Sequence, residues 1–191
     1  MKIYLLRCLI LTLVVAAVIS AGLVLTVSAQ GDPWSDGKAS LLGDANIKKL
    51  TGLNTAIAVP TWLPEGYKVK KLEIQPPEAD IFAFTITYEG PAGKSFTIES
   101  NNEVLGDMAV KREAKFANDL FKDSAQETSH FYAGHDEHDA KTVATEWLCS
   151  IQKYQPAKSK SAQCFQLLSN AKSMTPADAM KIMSSLRYLK R

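Results

Sequence analysis

The stretch "DIFAFTITYEGPAGKSFTIES" constrains the fold more than any other part of this chain. Phe82, Phe84, Ile86 and Tyr88 alternate with Ala83, Thr85, Thr87 and Glu89. A period of two is foreign to an amphipathic helix and specifies a strand with one buried face. "GPAGK" then turns the chain, and Phe96 and Ile98 return opposite Tyr88 and Ile86. A slip of one residue would turn all of these side chains to solvent, so the pattern fixes the register. The resulting β-hairpin needs other parts of the chain to cover its apolar face.

Upstream, "YKVKKLEIQ" also alternates, with a phase slip between Val69 and Leu72 that reads as a β-bulge. It is preceded by "VPTWLPEGYKV". Pro60 has no N–H to donate and is expected to stop the run "AIAV" from continuing as a paired strand. Leu63-Pro64-Glu65-Gly66 fits a type I turn, with Pro64 in second place and Gly66 in fourth. Trp62 and Leu63 become apolar anchors beside it, and Tyr67 opens the next strand. Turn chemistry and packing account for Pro60, Trp62, Leu63, Pro64, Gly66 and Tyr67 without a ligand.

Two helices are expected. A short one starts with Asp44 as N-cap, carries Ile47, Leu50 and Leu53 on one side and ends at Gly52. The second has Thr175 as N-cap, Pro176 at its first position and Asp178 in a pattern like a capping box. Its apolar stripe is Ala179, Ile182, Met183, Leu186 and Leu189, which reads as core packing. Between the helices, "TVATEWLCSIQKY" and "SAQCFQLLS" read as a second hairpin around "QPAKSK". The fold class is therefore α+β, an antiparallel sheet of hairpins with a packed C-terminal helix and a short N-terminal one.

The chain opens with Lys2 and Arg7 and then an uncharged apolar run from Cys8 to Val27. This is an export signal with its charged end in the cytoplasm. Two fates are open. The run is long enough to remain as an anchor, since a bilayer span needs roughly 20 residues. Alternatively, Val27, Ser28 and Ala29 supply the small residues of a cleavage site, with Gln30 as the mature start. Cys8 lies at the wrong end of the run for a lipoprotein. Residues 1–29 are thus a signal peptide or membrane anchor, 30–43 a flexible spacer rich in Gly, Ser and Asp, and 44–191 one extracytoplasmic domain. Of 22 Lys and Arg only Lys2 and Arg7 precede Gln30, so the exported part balances 20 cations against 20 anions. It carries no electrostatic footprint for nucleic acid, and any membrane attachment runs through the N-terminal segment.

His130, His135 and His138 cluster in "HFYAGHDEHD" beside Asp136, Glu137 and Asp139. Imidazole and carboxylate suit zinc or copper. The spacing is not that of a helical zinc site, and Gly134 argues for a solvated loop. No G-x-S-x-G, phosphate loop or dinucleotide fingerprint is present, so neither an enzyme nor a cofactor is implied. Cys149 and Cys164 would reach an oxidising compartment, which favours a disulfide. Direct pairing makes opposite residues sum to 313, whereas the apolar faces would set Trp147 against Leu167. A bulge near the loop reconciles the two, and the bridge is expected to form.

The segments "VPTWLPEGYKVKKLEI", "FTITYEGPAGKSFTIES", "TEWLCSIQKY" and "MTPADAMKIMSSL" together resemble a family of uncharacterised extracytoplasmic bacterial domains. Its members have a P-x-[WY]-L-P-E-G-Y motif and occur in secreted proteins and on the outer side of membrane-anchored anti-sigma factors. "TWLPEGY" is also similar to part of the C-terminal domain of the periplasmic sigma-E regulator. The first resemblance spans Asp44 to Leu189 and departs from this chain over Val110–Lys141. It implies a curved antiparallel sheet with helices packed on it, and it carries no catalytic residues. The function expected is an exported non-enzymatic binding or sensory domain acting in envelope sensing or regulation. It would contact an envelope or anti-sigma-type protein, or an apolar ligand in the concave face of the sheet. The alternative is a periplasmic carrier of lipid or an apolar small molecule.

Overall fold

The computed structural model describes residues 32–75, 83–102, 108–123, 128–156 and 162–191. Residues 1–31, which include the segment read above as an export signal, Phe82 and residues 157–161 lie outside the described residues.

The hairpin pattern is realised as read. Strands β3 (Lys68–Ile74), β4 (Ala83–Glu89) and β5 (Ser95–Asn101) run antiparallel, with Tyr88 opposite Phe96 and Ile86 opposite Ile98. The expected bulge lies between Val69 and Lys71. β11 (Cys164–Asn170) joins the free edge of β5 and extends three cross-strand rows over the buried face. One row is Ile74, Phe84, Ser100 and Phe165, the next Leu72, Ile86, Ile98 and Leu167, and the third Val69, Tyr88, Phe96 and Ser169. The opposite face presents Thr85, Glu99 and Gln166, as strict alternation requires.

The second expected hairpin forms in two pieces. β9 (Thr142–Thr145) and β10 (Leu148–Ser150) both pair with β11. From Ala144 to Leu148 is four steps, while their partners Leu168 and Phe165 are three apart. The extra residue is a bulge at Glu146–Trp147, on the far side of the cysteines from the loop rather than beside it. It lets Cys149 lie directly opposite Cys164, and the disulfide is present. Trp147 therefore does not face Leu167. Outside these strands lie β8 (His130–His135) on β9, β6 (Ala114–Ala117) on β8, and β7 (Phe121–Asp123) on β10. Neither sheet is strongly curled or closed.

Three expectations are corrected at the chain ends. The segment read as spacer, 30–43, carries β1 (Trp34–Ser35), and Ser40 and Leu42 in it are buried. β1 pairs in parallel with β12 (Leu186–Leu189), so its structure depends on a partner at the other end of the chain. The C-terminal helix, α2 (Pro176–Ser184), stops before Leu186, and Leu186 and Leu189 belong to β12 instead. Their spacing suits a helix, but Asn118 intervenes. Its buried amide donates to the carbonyls of Met183, Ser184 and Leu186 at 3.2, 3.3 and 3.4 Å, receiving the chain as it leaves the helix. The N-terminus of α2 is as expected, with Thr175 accepting from the Asp178 N–H and Pro176 in the first turn. The first helix, α1 (Asp44–Thr51), has Gly43 as N-cap, which places Asp44 in its first turn beside the positive end of the dipole.

β2 (Ala58–Pro60) completes the small sheet on the other edge of β12. The second half of "AIAV", Ala58 and Val59, pairs with Tyr188 and Arg187, and the strand ends at Pro60, as expected. An edge strand tolerates this because one side needs no ladder partner. α2 lies across β6, β8 and β9, and one apolar cluster runs from Leu42 to Leu189.

Candidate functional site

The proline-rich motif proves to be a joint. The Tyr67 N–H donates to the Pro64 carbonyl at 3.3 Å, so the turn is Pro64 to Tyr67, one residue later than expected. Gly66 occupies its third position with φ +79°, the left-handed conformation that favours glycine there. Pro91 of the hairpin loop sits where a Gly66 side chain would go, its Cγ 2.8 Å from a Cβ built there. Tyr67 is buried, packs on Phe96 at 5.4 Å and donates its hydroxyl to the Ser173 carbonyl. Burial, and Asp178 nearby, push that phenol upward, so it stays a donor. Trp62 remains exposed beside Lys181, and its backbone N–H donates to the Ser185 hydroxyl at the end of α2. The motif ties β3, the hairpin loop and α2 together.

The histidine segment is a strand. β8 begins at His130 and ends at His135, and Gly134 sits inside it because the Lys111 carbonyl crosses directly above. A Cβ built on Gly134 would come within 1.8 Å of that oxygen. Five residues apart on a strand, His130 and His135 point to opposite faces. His135 Nδ1 bonds the Glu113 carboxylate at 2.9 Å, which holds Glu113 below its usual range. His138 lies in the turn beyond, where Asp136 accepts its N–H. Asp139 accepts from Lys141 N–H and the Thr142 hydroxyl, and these bonds hold its carboxyl low. The carboxylates thus build the turn, and among the described residues no group of three or more His, Cys, Asp or Glu gathers to hold a metal.

The face of the sheet expected to take an apolar ligand is covered by the sheet's own aromatics, with Tyr88 stacked on Phe96 at 4.7 Å and Phe84 edge-on to Phe165 of β11 at 6.3 Å. The open space lies elsewhere. A cleft of about 460 Å³ opens beside the small sheet, floored by Ala56, Ile57 and Tyr188. Trp34 and Tyr154 wall it, their rings 6.0 Å apart and nearly perpendicular. Tyr154 also stacks on Tyr188 at 4.4 Å. Lys153, Lys190 and Arg191 stand at the rim, with Lys153 4.8 Å from the Tyr154 ring and Asp32 3.7 Å from Lys190.

Remote segments build this cleft. Trp34 is set by β1, where the Tyr188 N–H donates to the Pro33 carbonyl at 2.8 Å. Tyr154 comes from the 3-10 turn Gln152–Tyr154, just after β10. Its neighbour Ser150 exchanges bonds with Gln163, whose side chain bridges the Thr55 and Ser100 hydroxyls at 2.6 and 2.7 Å. Arg191 reaches back to the Leu53 and Thr55 carbonyls. Tyr188 lends its ring to the floor while its hydroxyl donates to the Leu120 carbonyl at 2.8 Å. Burial holds that phenol far above its ordinary range and so keeps it neutral. The described lining offers ring faces and cationic donors, with no histidine, cysteine or carboxylate in it. Such a surface suits binding of a group that combines apolar and anionic parts.

Comparison with protein families, with curated proteins and with solved structures found no match to this chain. The Cys149–Cys164 bridge fits an oxidising, extracytoplasmic environment. Among the described residues no helix is long and apolar enough to cross a membrane.

Proposed function

We propose that this chain is an exported, non-enzymatic binding domain that senses a component of the cell envelope through the cleft between Trp34, Tyr154 and Tyr188. The observation that carries this reading is the exposure of Trp34. A large aromatic left 40% exposed beside a second ring and three cations is a surface held ready for a partner. Its likeness in segments to extracytoplasmic domains of anti-sigma factors supports a regulatory setting. A carrier of lipid draws less support. Its cargo would need room between sheet and helix, where Phe84, Ile86, Tyr88, Phe96 and Phe165 are packed with almost no exposure.

Amide hydrogen exchange with and without detergent-extracted envelope material tests the reading. Slower exchange is expected at Ile57, Tyr154 and Tyr188 to Lys190, and its loss in a Trp34→Ala, Tyr154→Ala variant. Protection confined to β3 and β4, or none, would refute the cleft as the binding site.

A further inference from the structure

A short stretch of sequence separates the cleft from the apolar N-terminal run, and this points to what it meets. From Val27, the end of that run, to Trp34 is seven residues. Fully extended, such a tether spans at most about 25 Å. Trp34 is not free to drift from the cleft, because it is paired with Tyr188 in β1–β12 and forms the wall itself. In a chain anchored by Cys8–Val27, the cleft is therefore held within that distance of the outer membrane–water boundary.

Its chemistry matches that position. Trp34 and Tyr154 are partly exposed and carry a polar tip on an apolar body, the residue types enriched at membrane interfaces. Lys153, Lys190 and Arg191 crowd the same rim, where Asp32 offsets part of the Lys190 charge, in an exported part whose charges as a whole balance. A local cationic cluster beside interfacial rings attracts anionic headgroups at short range. We propose that, in the anchored form of the chain, this cleft faces the bilayer and seats the headgroups of anionic phospholipids, with Trp34 at the depth of the upper acyl chains. The inference rests on the cleft being the binding site and names what occupies it.

The test uses the full, uncleaved chain with Trp62→Phe and Trp147→Phe, so that Trp34 is the one tryptophan left. It is reconstituted into nanodiscs of phosphatidylcholine alone or mixed with phosphatidylglycerol, each made with lipid brominated high on its acyl chains. Trp34 emission should be strongly quenched in the anionic discs and much less in the neutral ones. The quenching should reverse at about 0.5 M salt, where charges are screened beyond about 4 Å. It should also vanish in a variant with Lys153, Lys190 and Arg191 all changed to Gln, whose fold is checked by an intact disulfide and unchanged melting. Equal emission in the two compositions, or quenching indifferent to the triple substitution, would overturn the proposal. Protection of the cleft by envelope extract with Trp34 unquenched in both discs would overturn the membrane assignment alone and leave the binding site standing.

Discussion

Gly90 lies beneath the ring of Tyr67, where a Cβ would stand 2.6 Å from Cε2 and Cζ. The reciprocal contact, Gly66 against Pro91, closes the other half of the joint between the proline-rich turn and the hairpin loop. Each glycine thus makes room for a residue next to the other. At Gly66 the φ of +79° adds backbone strain for any side chain. Gly66→Val should cost about 1–3 kcal/mol and Gly90→Ala a similar amount, measured by urea unfolding. The double variant should lose less than the sum of the two single losses, since either one opens the same joint. Full additivity would mean that the two contacts are independent.

Asn118 is wholly buried, its amide on three carbonyls of the α2 exit and its oxygen accepting the Leu120 N–H at 3.2 Å. Asn118→Leu keeps the branched outline of the side chain and removes every partner, and should lower stability by about 2–3 kcal/mol. Exchange at Leu186 to Leu189 should rise with it. A variant as stable as the parent would show that water replaces the amide.

The Cys149–Cys164 bridge joins residues separated by 15 in sequence. Replacing both with Ser should cost on the order of 3 kcal/mol in the chain-entropy account. Non-reducing mass spectrometry of the native protein should find no free thiol at either position, and free thiols at both would contradict the pairing.

Glu99 is half-buried on the outer face of the sheet, and that burial raises its pKa. A raised acid binds its proton more tightly in the folded state, so stability falls as pH climbs through the carboxylate range and stays lower above it. Glu99→Gln should therefore stabilise the protein at neutral pH and leave it unchanged in acid. Melting curves at two pH values decide this, and a gain of equal size at both would show that charge is not the cause.

What was legible in the sequence was local. Tyr88 opposite Phe96, the bulge after Val69 and the Thr175–Pro176 start of α2 follow from neighbouring residues alone. The disulfide needed one further premise, the compartment. What was hidden depended on partners far along the chain. Trp34 sits in a polar, glycine-rich stretch and becomes a strand only because Tyr188 pairs with it. Leu186 and Leu189 keep helical spacing, and only Asn118 and the small sheet turn them into β12. Gly134 resembled a loop residue because the Lys111 carbonyl that demands it comes from a different part of the chain, the segment leading into β6. The cleft was missed for the same reason, since Trp34, Tyr154 and Tyr188 share no motif. A tryptophan alone in a polar linker was the signal that could have marked it.

The most direct test of the cleft as the binding site is photocrosslinking in the native host. A benzophenone amino acid is placed at Tyr154, in the cleft wall, or at Lys71, exposed on β3. The account predicts a defined adduct from position 154, seen as a mass shift on the purified protein, and none from position 71. No adduct from 154, or the same adducts from both positions, would contradict it.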